Sequence, residues 1–352
     1  MLESMPDTTP ARVHQPAIGS GLPRVGRSPR LFTALATMLF ATLVAGPGTA
    51  LGQDTYPTRP IRFVIPFAPG GGNDILARLI SPRISERLGQ PVILDNRPGA
   101  GGSIGTAIVA VAPPDGHSIL VAPTSHAINP AVISKLPFDT ARDLVPVTLF
   151  ASTKVVLVVN PGLSATTLKE LVALGRAKPG LLSIGSAGNG TVFHLLAELL
   201  KTQGAFEAPH VPFKGGSPAV TAIVSNDINV LFDTGFALSS FLKAGKVRAL
   251  AVASEKRSAI LPDVPTMAEA GFPGVLGENW YVIFVPRGTP QRVVNRLNLE
   301  FNDAVKLPDI RNRIEALGAE VLGTSPEEAR RFVESEIARW SKIAKSAGVK
   351  PE

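Results

Sequence analysis

Residues 61–67 form an apolar run broken only by Arg62, and it leads directly into Phe67-Ala68-Pro69-Gly70-Gly71-Gly72-Asn73-Asp74. The run reads as a buried strand. A helical pattern follows, with Ile75, Leu76, Leu79, Ile80, Ile84 and Leu88 on one broad face and Gly89 as the stop. Three consecutive glycines let the backbone turn tightly and approach a ligand closely. Asn73 or Asp74 can cap the helix. The free N–H groups of a first helical turn, with the macrodipole behind them, favour an anion. This stretch therefore specifies a strand, a glycine loop and a helix aimed at a small negative or polar group. An ordinary βα turn that needs glycines has the same spacing, and the spacing does not separate the two readings.

The plan recurs along the chain. Pro91–Leu94 reads as a second strand, followed by a helix over 103–112, and Ser118–Ala122 reads as a third strand that ends at Thr124 and Ser125. Hydroxyls at the C-terminal end of a strand in an open α/β sheet sit where ligands bind. His126, beside Ser125, reads as a hydrogen-bonding or packing residue. A helix over 167–178 and a strand over 181–185 then lead into Ser186-Ala187-Gly188-Asn189-Gly190-Thr191, which opens a helix carrying Phe193, His194, Leu195, Leu196, Leu199 and Leu200. This is a second strand, glycine loop and helix start. Two such loops facing each other across a cleft could grip both ends of a dicarboxylate. His194 reads either as a contact that orients the loop or touches ligand, or as a satisfied core histidine. The strand 228–233 ends in Asp233, which reads either as a cleft residue or as the cap of a helix over 234–242. Val155–Val159 and Tyr281–Val285 are further strands, and amphipathic helices over 291–305, 309–317 and 326–347 close the chain.

Strands alternating with helices predict an α/β fold with mostly parallel sheets covered on both faces. The 352 residues suffice for two domains. The expected division is one lobe from 53–155 plus 279–352 and a second from 156–278, with crossings near 155 and 279.

Several function classes are excluded or weakened. The chain has no cysteine, so disulfides, thiolate zinc sites, cysteine nucleophiles and a lipoprotein anchor are absent. Its net charge of +7 is scattered and aromatics are only 6%, which describes a basic soluble surface and not a nucleic-acid site. Gly99-x-Gly101-x-x-x-Gly105 looks like a loose dinucleotide fingerprint, but the next acid, Asp115, lies in a Pro-Pro-Asp-Gly turn. No Gly-x-Ser-x-Gly elbow surrounds Ser125 or Ser186, so a serine hydrolase is poorly supported. No metal or cofactor is expected.

The N-terminus reads as a secretory signal. Arg24, Arg27 and Arg30 precede the 15 uncharged residues Leu31–Ala45, and Ala50-Leu51-Gly52 offers small residues for cleavage. The run is short for a membrane span.

Pro66-Phe67-x-Pro69-Gly70-Gly71-x-x-Asp74, Asn96-Arg97-Pro98-Gly99-Ala100-Gly101-Gly102, Pro114-Asp115-Gly116, Ser186–Gly190 with His194, Val211-Pro212-Phe213-Lys214-Gly215-Gly216, Trp280-Tyr281 and Val285-Pro286-Arg287-Gly288-Thr289-Pro290 follow one another in order. Together they resemble the Bug-type solute-binding proteins, the extracytoplasmic receptors of tripartite tricarboxylate transporters. The resemblance covers nearly everything from Tyr56 onward. It implies a two-lobe periplasmic binding protein, type II-like, with a ligand cleft between the lobes. It implies that Gly99, Gly101 and Gly105 pack a helix close to a strand. It also implies a small carboxylate as ligand, membrane transporter subunits as partners, and no catalysis. Carried onto this chain, the ligand-binding residues are Phe67, Pro69, Gly70, Gly71, Gly72, Asn73, Asp74, Thr124, Ser125, Ser186, Gly188, Asn189, Gly190, Thr191, His194 and Asp233. A monomer is expected. A ligand sensor that signals to a protein partner shares this fold and differs only in partner; a nicotinamide-dependent oxidoreductase is a further, weaker alternative. Export predicts cleavage near Gly52, and mass spectrometry of periplasmic protein that still carries Leu31–Ala45 would contradict it.

Overall fold

The first strand, β1 (Ile61–Ile65), is followed by α1 (Gly72–Leu88), β2 (Val92–Asn96), a 3₁₀ turn at Ala100–Gly102, α2 (Ser103–Ala110) and β3 (Ser118–Pro123) in the computed structural model, which describes residues 21–23, 56–349 and 351. The apolar run Leu31–Ala45 and the expected cleavage site lie outside the described residues. β1 pairs in parallel with β2 and with β3. Ile61, Phe63 and Ile65 alternate onto one face of β1, where Leu76, Ala77, Ile80 and Ile84 of α1 cover them, and Val64 enters the core on the other face. Burying each such side chain stabilises the fold by about 1.5–3 kcal/mol. Gly89 ends α1 in the left-handed conformation, at φ +67°. Gly105 brings α2 onto the end of β1, and a Cβ there would lie 2.8 Å from Cα of Pro66. That is the packing role expected of these glycines.

The rest of the chain runs α3 (Ser125–Val132), β4 (Leu144–Val159), α4 (Leu168–Ala177), β5 (Ile184–Ser186), α5 (Val192–Gly204), β6 (His210–Pro212), α6 (Gly216–Val224), β7 (Val230–Thr234), α7 (Gly235–Lys243) and β8 (Arg248–Val252). It ends with β9 (Glu278–Pro286), α8 (Gln291–Lys306), α9 (Pro308–Ala316), β10 (Ala319–Val321) and α10 (Pro326–Ser346). Two helix starts carry reciprocal capping boxes, Thr167 with Glu170 and Ser325 with Glu328. The helix α3 and the strand β10 were not marked by the sequence pattern. Tyr56–Glu352 pack as one compact unit, and among the described residues no helix is long and apolar enough to cross a membrane.

The sheet order is β2-β1-β3-β9-β4-β7-β5-β6, with β8 and β10 also pairing with β4. Here the expectation of mostly parallel pairing needs correction. Only β1/β2, β1/β3, β5/β6 and β5/β7 are parallel; β3/β9, β9/β4, β4/β7, β4/β8 and β4/β10 are antiparallel. The cause is the chain path. β4 leaves toward the β5–β7 side and β9 returns, so the two run in opposite directions. β4 is also 16 residues long, where the apolar pattern marked only its last five. It pairs with β9 as far as Lys154 and with β7 from Val155. Both faces are covered, as expected. Val155, Leu157 and Val159 enter one core cluster and Val156 and Val158 another; Trp280, Val282 and Phe284 likewise alternate with Tyr281, Ile283 and Val285.

α10 is tied to the returning strand through one carboxylate. Glu336 Oε2 accepts from Trp280 Nε1 and Trp340 Nε1, both at 2.9 Å, and Oε1 accepts from Arg339 at 3.1 Å. Both indoles are buried. Glu336→Ala leaves two buried donors unpaired, at about 1–3 kcal/mol each. Urea unfolding should therefore show a loss of about 2–5 kcal/mol for E336A and a clearly smaller loss for E336Q, which keeps the acceptor.

Candidate functional site

Five βα junctions open onto one cavity at the C-terminal ends of the strands. α1 starts at Gly72, α3 at Ser125, α5 at Val192, α6 at Gly216 and α7 at Gly235. Residues of the first four of these starts, together with Thr234 just before α7, line a narrow cavity of about 20 Å³: Gly71, Gly72 and Asn73; Ser125; Thr191, Val192 and Phe193; Gly216; and Thr234. Phe67, Pro123, Ala187, Asp233, Asn279 and Tyr281 complete the wall. As the surrounding loops stand here the cavity is water-sized, so a small organic ligand needs them to part. No Lys, Arg or His is among these residues, and Asp233 is the one ionisable acid. The positive ends of the helices therefore supply the field that basic side chains would otherwise supply. A second space of about 200 Å³ shares Phe67 and Ala187 with the first and is lined by Gly99–Gly101, Gly188, Asn189 and Pro212–Lys214.

The segments around these spaces touch closely. Ala68 N–H donates to the Lys214 carbonyl at 3.2 Å. Gly101, at φ +59°, lies against the Asn189 carbonyl, and Gly190, at φ +74°, lies against Asn129. A Cβ at Gly190 would meet Asn129 Oδ1 at 2.5 Å. Glycine is needed at both places, for the backbone conformation and for the approach.

The expected site residues separate into groups. Phe67, Gly71, Gly72, Asn73, Ser125, Thr191 and Asp233 line the first cavity, and Gly188 and Asn189 line the second. Pro69 and Gly70 are exposed and line neither. Asp74 is buried behind the loop and caps nothing; α1 has Gly71 at its cap position and no side-chain cap. Its Oδ2 accepts from Gly70 N–H at 2.9 Å and Arg78 at 2.8 Å, and its Oδ1 from Asn96 at 3.0 Å. Burial raises its pKa, but these hydrogen bonds outweigh that and hold it below the usual carboxylate range. Asp74 thus fastens the glycine loop. Thr124 Oγ1 donates to the Glu278 carbonyl and accepts from Trp280 N–H, both at 3.0 Å, which pins β9 to the start of α3.

The loop at 186–191 is bonded to itself. Ser186 Oγ accepts from Gly188 N–H at 3.1 Å, and Thr191 Oγ1 donates to the Gly188 carbonyl at 2.7 Å. His194 Nδ1 accepts from Gly190 N–H at 3.4 Å, and its ring stacks on His210 with centroids 4.2 Å apart. His194 is thus buried and bonded to the loop that precedes its helix. Ser186 Oγ also lies 2.7 Å from His210 Nε2, a pairing no sequence signal disclosed. Ser186 is fully buried, so this hydroxyl serves the loop interior. Burial, then His194 and Lys201, pull the His210 pKa down to about 3, so it is neutral. His126 is likewise a packing residue. It lies 3.2 Å from the Thr140 carbonyl and against Phe284, and burial lowers its pKa to about 4 despite that carbonyl. Among the described residues no group of His, Asp or Glu is placed to hold a metal ion.

Eight of the lining residues were not among the expected site residues, and of these Asn279 and Tyr281 place a linked pair of polar side chains on the wall. The available signal was a polar residue and a tyrosine at the start of an apolar strand. Asn279 Nδ2 donates to Tyr281 Oη at 2.8 Å. Burial raises the Tyr281 pKa above its ordinary value, so the phenol keeps its proton. Asp233 Oδ1 accepts from Thr234 N–H at 2.7 Å, while Oδ2 is buried without a partner. Burial pushes this carboxyl up to about 7, against the lowering effect of the Thr234 hydrogen bonds.

The Asp233 shift has a stability consequence. The folded protein keeps the proton up to about pH 7, and the unfolded chain releases it near 4. Between those values the folded state binds more protons, so this contribution to stability falls as pH rises, by at most about 1.4 kcal/mol per unit. Asp233→Asn should remove that slope. Urea unfolding of both proteins from pH 4 to 8 checks it, and identical pH profiles would show that Asp233 is not the source.

Comparison with known proteins places this arrangement. The chain is similar to the solved periplasmic binding protein BugD, at 31% identity and a TM-score of 0.82, over 84% of this chain and 100% of that one. It is similar to R. palustris Rpa4515 with adipate, at 37% identity and a TM-score of 0.82, over 84% and 100% of the two chains. MatC from Rhodopseudomonas palustris with bound malate is 34% identical with a TM-score of 0.79, over 82% and 99%. Residues 76–349 match the model of the tripartite tricarboxylate transporter family receptor, and the chain belongs to that family of Bug-type solute-binding proteins.

Proposed function

We propose that this protein is a periplasmic receptor that captures a small carboxylate in the cavity and delivers it to the membrane subunits of a tripartite transporter. The observation that carries the reading is the convergence of helix N-termini on a cavity whose lining has no basic side chain and holds an unpartnered donor, Asn73 Nδ2. Such a cavity holds an anion with backbone N–H groups and neutral donors. The similar proteins with adipate and with malate support a carboxylate.

The binding residues in this reading are Phe67, Gly71, Gly72, Asn73, Ser125, Thr191, Asn279 and Tyr281 around the ligand, with Asp233 on the same wall. Gly188 and Asn189 stand at the adjoining space. Asp74, Thr124, Ser186, Gly190 and His194 position the loops. The lobes are 53–155 plus 279–352 and 156–278, hinged where β4 changes partners and where β9 returns. The starts of α1 and α3 belong to the first lobe, and those of α5, α6 and α7 to the second. A ligand that bonds to both sets favours the closed form, because only that form makes all the contacts. The mechanism is capture and release by a monomer, without chemistry.

Asn73→Ala separates binding from stability. It removes a buried donor that the protein itself leaves unpaired, so stability should hold or rise. A hydrogen bond to a charged group contributes about 1.5–3 kcal/mol, so carboxylate affinity should fall by about 10-fold or more. Calorimetric titration with adipate and related carboxylates, followed by small-angle scattering, checks both halves. Unchanged affinity in the variant would remove Asn73 from the site, and an unchanged radius of gyration on saturation of the wild type would remove lobe closure.

A further inference from the structure

Asp233 and Asn73 present opposite demands to the same cavity. Asp233 is 1% exposed; its Oδ1 is engaged by Thr234 N–H and its Oδ2 has no partner. Asn73 is 5% exposed, and its Nδ2 is a donor with no partner. Tyr281 Oη already accepts from Asn279, which leaves its own hydrogen to donate. A ligand carboxylate satisfies donors: the helix starts, Asn73 and Tyr281. Above about pH 7, where Asp233 is ionised, it does nothing for Oδ2, which needs a hydrogen. A ligand built only of carboxylates and methylenes sets acceptor against acceptor there, and an unpaired buried polar group is unfavourable.

A hydroxyl resolves this with one group, because it donates to Asp233 Oδ2 and accepts from Tyr281 or Asn73. An ammonium would ask for three acceptors. Asp233 Oδ2 is the single buried, unpartnered acceptor among the side chains lining this cavity. We infer that the cavity selects a hydroxycarboxylate, with Asp233 as the residue that reads the hydroxyl. This rests on the carboxylate reading above and narrows it.

The Asp233→Asn variant tests the assignment through a reversal of polarity. The amide oxygen stays on Thr234 N–H, and the amide nitrogen takes the place of Oδ2. An acceptor facing the cavity becomes a donor in a side chain of the same shape. Calorimetry on the full-length protein at pH 8, where Asp233 is ionised, compares ligands that differ in a single hydroxyl: succinate with malate, glutarate with 2-hydroxyglutarate, and propanoate with lactate. Aspartate and glutamate serve as the ammonium counterparts.

In the wild type, the hydroxylated member of each pair that binds should be tighter by about 10-fold or more. In D233N that ratio should shrink to about twofold or invert, with the loss on the hydroxylated member. Equal affinities within every binding pair overturn the inference and leave carboxylate capture standing, as does a ratio unchanged in D233N. An ammonium ligand tighter than its hydroxyl counterpart overturns it in favour of an amino acid. Failure of every carboxylate to bind overturns the receptor reading and the inference with it. If D233N does not fold, the wild-type ratios decide alone.

Discussion

The antiparallel pairing of β4 with β9 is the constraint on which the rest depends. These two long strands lie side by side from Leu144 to Lys154 and from Glu278 to Pro286. β4 then continues to Val159 and hands its edge to β7 and β8. One strand therefore belongs to both groups of parallel βα units. Because each unit puts its helix start at the C-terminal end of its strand, joining the groups through β4 turns five helix starts toward a shared space. The side chains that hold the junction are spent on it. Thr124 Oγ1 bonds to β9 at Glu278 and Trp280, and Glu336 receives the Trp280 and Trp340 indoles.

In the proposed reading, the site works by dipoles and neutral donors. A cavity lined by Lys or Arg would hold an anion through a charge that is itself costly to bury. Backbone N–H groups at helix starts carry a smaller partial charge, and their desolvation is already part of the fold. Such a cavity is selective through geometry, because each donor points in one direction. It also makes the single acid conspicuous. Asp233 stands among donors with one oxygen satisfied by Thr234 and the other facing the space, and burial alone is enough to raise its pKa to about 7.

Two side-chain groupings look like enzyme parts when seen alone, and their surroundings give them other work. Ser186 with His210 has the spacing of a nucleophile and a base, yet the serine is fully buried and engaged with Gly188. His126 next to Ser125 is a neutral ring between Phe138 and Phe284. The glycines at 99, 101 and 105 likewise serve close packing: Gly105 against Pro66 and Gly101 against Asn189.

The amino-acid sequence by itself determined the local units. The Ile61–Ile65 strand, the glycine triplet, the α1 face and its Gly89 stop all follow from apolar periodicity and from backbone freedom that only glycine has. The same holds for the Thr167 and Ser325 helix starts, whose capping partners lie three residues away. The ordered motifs also carried the family, and seven of the proposed site residues do line the cavity. Tertiary structure decided what depends on distant partners. Asp74 faces Gly70, Arg78 and Asn96 and not the ligand space, a choice made by Asn96, 22 residues away. Asn279 and Tyr281 enter the wall because β9 is inserted between β3 and β4, and no local pattern records which strand will be a neighbour. The direction of β4 and β9 was hidden for the same reason. A period-two apolar strand reads alike in parallel and antiparallel pairs, and only the path of the chain between them sets the sign.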